Sequence, residues 1–130
     1  MPRCSAPDWC FFRDTYEPVE YYRQLKAAGI TAAELVNDPA RRAAARAAGL
    51  PVLSLSGGGM KQGLNRLANH ETLLPDMTQK ITTAGAEGIP MMVALSGGRE
   101  ELSDAEGIAN CITALRQLAP VAEAVSGSKR

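Results

Sequence analysis

The sequence predicts an α/β protein of four consecutive β-α units with a parallel sheet, and three observations carry that reading. Two stretches rhyme, "AAGLPVLSLSGGG" from Ala47 and "AEGIPMMVALSGGR" from Ala86, each spelling small residue, Gly, aliphatic, Pro, a mostly apolar run and Ser-Gly-Gly. A glycine after a helix supplies the left-handed residue that ends it, and a proline just beyond keeps the helix from resuming. Between such breakers, "PVLSLS" and "PMMVALS" are short, apolar and partly β-branched, the pattern of strands buried in a parallel sheet. The segments between them space apolar residues at helical intervals, and alternation of this kind gives parallel strands joined by right-handed crossovers.

In chain order, the first strand is drawn from "CSAPDWCFF", the least regular of the four. Pro18 suits a first helical position, and Val19, Tyr22 and Leu25 recur at helical intervals until Gly29. A weaker copy of the rhyme, "AAGITAAELVND", then places a strand over Thr31 to Val36. Asp38 and Pro39 start "PARRAAARAAG", whose Ala40, Ala43, Ala44 and Ala47 form a thin stripe that implies close packing; Arg41, Arg42 and Arg46 are expected on its solvated face. After the strand "PVLSLS", Leu73, Met77 and Ile81 mark a helix running to Gly88, although Pro75 and Gly85 weaken it. "PMMVALS" is the fourth strand. The last helix opens with "SDAE", where Ser103 and Glu106 make a capping box, and should turn Ile108, Cys111, Ile112, Leu115, Ala119 and Ala122 inward, with a kink at Pro120.

Composition bounds the function. At 130 residues the chain is read as a single domain, 1–130, large enough to bury a core without disulfides or metals. Lys plus Arg and Asp plus Glu both number 14, so no net field draws in phosphate backbones or anionic membranes, and neither nucleic acid nor membrane is an expected partner. The three cysteines, Cys4, Cys10 and Cys111, contain no CxxC pair, which argues against a disulfide framework or a zinc ribbon and for a reduced, cytoplasmic protein. The N-terminal "MPRCSAPDWCFFRD" lacks the apolar run of a signal peptide, and no segment approaches membrane-spanning length.

The combination "GLNRLANH", "EGIPMMVALSGGREELSDAEGIANC" and "ALRQLAPVAE" resembles the hydroxypyruvate isomerase-like sugar isomerases and epimerases of the xylose isomerase-like TIM-barrel superfamily. The resemblance runs from Cys10 and Phe11 to the "APVAE" run at Ala119. It implies the first half of a (β/α)8 barrel, a fold of about 250 residues. In that family a divalent metal such as Mn or Mg, held by carboxylates and a His, polarises a sugar carbonyl and hydroxyl while glutamates move a proton through an enediolate. Those ligands belong to later strands, beginning with a Glu at the end of strand five, so this chain is expected to carry no metal, no catalytic residue and no isomerase activity alone. The resemblance implies a small sugar or hydroxy-keto acid as substrate, with Trp9, Glu34, Ser56, Asn65, His70, Ser96 and Arg99 as its contacts. Two departures stand out: a His usual past strand three is replaced by "SGGGM", and the usual Ser-Gly-Asn-Arg after strand four reads Ser96, Gly97, Gly98, Arg99.

Each candidate also has a plainer reading. "SGGGMKQG" matches neither phosphate-binding fingerprint and reads first as a strand-end bend, although Ser56 and Ser96 would lie where active-site loops gather. His70, the only histidine, reads as a polar residue at a helix start. Glu34 either faces a pocket or follows a solvent-facing alternation, and Trp9 either lines a pocket floor or packs under the first helix. Cys111 reads as a small core residue. An arc cut from a barrel leaves two strand edges open, which implies a homodimer or a complementing C-terminal half as partner. Two further readings stay open: a catalytically silent half-barrel remnant, or a small α/β domain binding a phosphorylated ligand.

Overall fold

The computed structural model describes residues 3–127. Its elements alternate: strand β1 (Cys4–Pro7), the short helix α1 (Asp8–Phe11), α2 (Pro18–Ala27), β2 (Ile30–Glu34), α3 (Pro39–Ala47), β3 (Ser54–Gly57), a 3-10 turn (Leu67–Asn69), α4 (His70–Glu87), β4 (Met91–Ala94) and α5 (Asp104–Gly127). The α/β class and the order of the units follow the sequence pattern. The sheet does not, because the strands form two two-stranded sheets instead of one of four strands. By its internal contacts the chain divides into two compact units. The first runs through Ser56 and takes in Ile89–Met91, and the second comprises Gly57–Gly88 and the chain from Met92.

In the first unit β1 and β2 pair in parallel, Ser5 with Ala32, Ala6 with Ala33 and Pro7 with Glu34. On its other side β2 meets the approach to β3 through a parallel bridge between Ala33 and Val52, where Ala33 N–H donates to Pro51 O and Leu53 N–H to Ala33 O, both at 2.8 Å. Local chemistry starts each helix. The Glu17 carboxylate accepts from the Val19 and Glu20 amides ahead of α2, and Asp38 accepts from the Arg41 amide ahead of α3, with Pro18 and Pro39 in the first turns. Gly29 and Gly49, at φ of 94° and 70°, turn the chain out of those helices as the rhyme requires. Between them Tyr21, Tyr22, Ala33, Val36, Ala44, Ala45, Ala48 and Leu50 form one core.

Three expectations for this unit are corrected. "CSAPDWCFF" is not one strand: β1 stops at Pro7 and Asp8 begins a helical turn, so Trp9 sits on α1 and is 69% exposed, neither lining a strand end nor packed under α2. Asp8 explains the break, since its buried carboxylate accepts the Tyr22 hydroxyl at 2.6 Å and pairs with Arg41 at 3.1 Å. The three arginines are not one wet face. The Arg41 guanidinium lies 4.4 Å from the Phe12 ring centroid, and Arg42 is buried, donating to Asn37 O at 2.6 Å and Val36 O at 3.4 Å just past β2. That bend needs support, because Leu35 is held at φ 58°, with its amide donating to Ser54 Oγ at 3.0 Å.

The second unit is built on α4 packed against α5 around Leu64, Met77, Ile81, Ala114 and Leu118. α4 runs through both Pro75 and Gly85. Gly85 strengthens the pair instead of weakening it, for a Cβ there would lie 2.7 Å from Val125 Cβ, and its absence lets the helices close. α5 also runs through Pro120. Its inward face differs from the expected one: Ala114 and Leu118 are buried, Cys111, Val121 and Ala122 pack beside them, and Ile108, Ile112 and Leu115 are exposed. No helix among the described residues is long and apolar enough to cross a membrane.

Asp8 organises the first unit, and two stability measurements check it. In urea, Asp8→Ala should lose about 3 kcal/mol, because it strands a buried hydroxyl and an arginine, whereas Tyr22→Phe should lose about 1 kcal/mol; equal losses would contradict this ranking. Burial, reinforced by the Asp8 charge, pushes the Tyr21 hydroxyl from 10.0 up to about 12, and burial with the Asp8 hydrogen bond also pushes Tyr22 up. The folded state therefore keeps phenolic protons that the unfolded chain releases above pH 10.0, so this stabilisation is whole below that pH and is lost as pH rises towards 12. The urea midpoint should fall across that window, and the fall should shrink in Tyr21→Phe.

Candidate functional site

The site begins where two loops of the second unit meet. Leu64 N–H donates to Leu95 O at 3.1 Å and Asn65 N–H to Ser96 O at 2.8 Å, which lays residues 64–65 alongside the chain leaving β4. The approach requires glycine on both sides. A Cβ on Gly63 would collide with the Ser96 carbonyl group and the Gly97 nitrogen, and one on Gly97, which holds φ at 96°, would fall 2.5 Å from Gly63 N.

Asn65 then ties the loops together. Its Nδ2 donates to Gly98 O at 2.7 Å, and its own carbonyl accepts from Asn110 Nδ2 on α5 at 2.8 Å. Its Oδ1 is buried and accepts no hydrogen bond from the described residues, although the side chain as a whole is only 6% exposed. A buried acceptor without a donor costs free energy, here accepted where the two loops cross. The neighbouring Arg66 secures the far end of the loop, pairing with Glu100 at 3.0 Å and Glu101 at 3.6 Å, and Glu100 takes the left-handed φ of 49°.

Beside Asn65 opens a cleft of about 370 Å³. Ser96, Gly97 and Arg99 form one side, the first turn of α5 with Ser103 and Asp104 another, and Ile108, Cys111 and Ile112 a third. Arg99 is oriented through Nε, which faces Leu102 O at 3.3 Å and Asp104 Oδ1 at 3.2 Å, and its Nη atoms meet no partner among the described residues. Ser103 Oγ accepts from the Glu106 amide, which is the serine half of the capping box expected at the start of α5. Burial pushes the Cys111 thiol above its ordinary value, so at neutral pH it is an uncharged wall and not a nucleophile.

Of the seven residues expected from the sequence, Asn65, Ser96 and Arg99 line this cleft. His70 does not. It is the first residue of α4, buried, with Nε2 2.8 Å from Leu64 O, so it supports the loop from behind in keeping with its plainer reading. Trp9, Glu34 and Ser56 belong to the first unit. There Glu34 accepts the Ser5 hydroxyl, and Ser56 exchanges two backbone bonds with the Asn37 carboxamide, at 2.8 and 3.0 Å. Asp104, Ile108 and Ile112 were not anticipated as site residues. Their only sequence signal is the capping box, which fixes where α5 begins.

A second cleft, of about 480 Å³, lies in the first unit between Phe11, Tyr16 and the outer turns of α2. None of the seven lines it. The Tyr21 hydroxyl is buried without a partner among the described residues, and its ring stacks on Tyr16 with centroids 5.9 Å apart.

Among the described residues no three His, Cys, Asp or Glu side chains converge, and at the cleft Asp104 stands with Arg99 and not with another carboxylate, a donor set that does not fit a divalent cation. The loop crossing has its own test: Gly63→Ala should cost about 3 kcal/mol through overpacking against backbone that cannot move aside, read as a lowered urea midpoint, whereas Gly59→Ala, with open space at its Cβ, should cost far less.

Compared with known proteins, the chain matches no family model and no curated sequence.

Proposed function

We propose that the chain is a sugar isomerase- or epimerase-like protein of the hydroxypyruvate isomerase kind, its four β-α units corresponding to half of a TIM barrel, and that it holds a small sugar or hydroxy-keto acid in the cleft beside Asn65. The observation that carries this reading is that Asn65, Ser96 and Arg99, three of the residues the resemblance assigns to the substrate, line one cleft. Arg99, whose Nη donors meet no partner among the described residues, matches a carboxylate or carbonyl, the Ser96 hydroxyl matches either a donor or an acceptor, and the α5 N-terminus favours negative charge.

Within that reading the chain's own residues bind and align. Asn65 holds the loops in place, Ser96 orients a hydroxyl, and Arg99 fixes the acid or carbonyl end. No proton-transferring base is assigned here. Asp104 is well exposed and spent on the ion pair with Arg99. The order of the elements, the parallel pairing of β1 with β2 and the glycines that end α2, α3 and α4 agree with the barrel arc.

Titration of the isotopically labelled chain with hydroxypyruvate, glycerate and a ketose tests the proposal. Amide signals of residues 65, 96–99 and 104 should move together at saturation. Ser96→Ala and Arg99→Met should each weaken binding about tenfold, in line with one neutral or charged hydrogen bond. Unmoved cleft signals, or equal affinity in the variants, would overturn it.

A further inference from the structure

The cleft of the first unit differs in chemistry from the one beside Asn65. Phe11, Tyr16 and Tyr21 line its volume of about 480 Å³ together with Glu17 and Glu20, and no Lys or Arg of the described residues does. Phe11 and Tyr16 are 55% and 48% exposed, which leaves ring surface open to a ligand. The same aromatic cluster already holds one cation. Phe12 packs edge-on against Tyr16 and Tyr21, with centroids 6.4 and 5.1 Å away, and the Arg41 guanidinium lies 4.4 Å from the Phe12 centroid.

We propose that this cleft binds a small quaternary ammonium compound of the choline type. Aromatic faces attract a cation through the ring quadrupole, and the two carboxylates add to that attraction. Hydrogen bonding selects a methylated ammonium over a primary one. Glu17 already accepts from the Val19 and Glu20 amides at 3.2 and 2.7 Å, and Glu20 accepts from Gln24 Nε2 at 3.2 Å. Methyl groups on nitrogen ask nothing of these oxygens, whereas a primary ammonium is strongly hydrated and needs acceptors to replace its water. Arg23 comes no nearer to Glu20 than 4.0 Å, an exposed contact that offsets little of the carboxylate's charge. Because the lining is acidic, a phosphate on the ligand is repelled, which sets free choline apart from a phosphocholine headgroup. The cleft shares no lining residue with the one beside Asn65, so the two proposals stand or fall separately.

Titration of the isotopically labelled chain with choline tests this. Amide signals of Thr15, Tyr16, Glu20 and Gln24 should move together and saturate, while those of Ser96 and Arg99 stay in place. Choline's uncharged carbon isostere, 3,3-dimethylbutan-1-ol, should bind at least about fivefold more weakly, since it keeps the shape and loses the cation. Ethanolamine and phosphocholine should both bind more weakly than choline. Tyr16→Leu should weaken choline binding about fivefold and Tyr16→Phe, which keeps the ring, by less than about twofold; the phenylalanine variant separates loss of the ring from loss of the fold. Glu20→Gln should weaken it about threefold, and raised salt should weaken the unaltered chain in the same sense. No saturable shift at these residues overturns the inference. So does equal binding of the uncharged isostere, for the cleft would then recognise apolar shape alone, or a phosphocholine that binds more tightly than choline. Choline affinity that survives Tyr16→Leu overturns it as well.

Discussion

The backbone of Gly63 passes so close to Ser96 and Gly97 that neither glycine has room for a Cβ. That approach sets up the rest of the second unit. It brings Asn65 to the loop after β4, where one side chain bonds the Gly98 carbonyl while its backbone carbonyl receives Asn110 from α5. Two loops and a helix are thereby locked by a single residue. The cost of locking is visible in the same residue, whose buried Oδ1 accepts no hydrogen bond from the described residues.

The first unit uses buried polarity in the opposite way. Asp8 is buried with its needs met, by the Tyr22 hydroxyl and the Arg41 guanidinium. Arg42 spends its donors on the carbonyls that follow β2. These contacts fix the bend between β2 and α3 where Leu35 adopts a left-handed conformation. These polar groups stabilise geometry, and the Tyr21 hydroxyl is the exception, buried without a partner among the described residues.

How much of this was legible in the sequence follows from which forces are local. Gly29, Gly49 and Gly88 all take positive φ at helix ends, as the rhyme of the sequence requires, because that demand is set within a few residues. Strand pairing is not local, and the pattern could mark β-runs without saying that they would form pairs instead of one sheet. On α5 the helical period supports two apolar stripes, one through Ile108, Ile112 and Leu115 and one through Cys111, Ala114 and Leu118. Packing decided between them, since the small Ala114 allows α4 to approach. Arg42 looked wet because three arginines share a short helix, and only the carbonyls it reaches reveal otherwise. Asn65, Ser96 and Arg99 entered through resemblance to a family, while Asp104 and the isoleucines of the cleft wall depend on where α5 starts and so became visible only in the fold.

Binding in the cleft is tested most directly by the carbon-13 shift of the Arg99 guanidinium carbon as hydroxypyruvate is added. That signal should move and saturate with binding, while the ring signals of His70, which lies outside the cleft wall, stay in place. An Arg99 signal that does not respond while the ligand binds would contradict the proposed site, for the acid would then be held somewhere else.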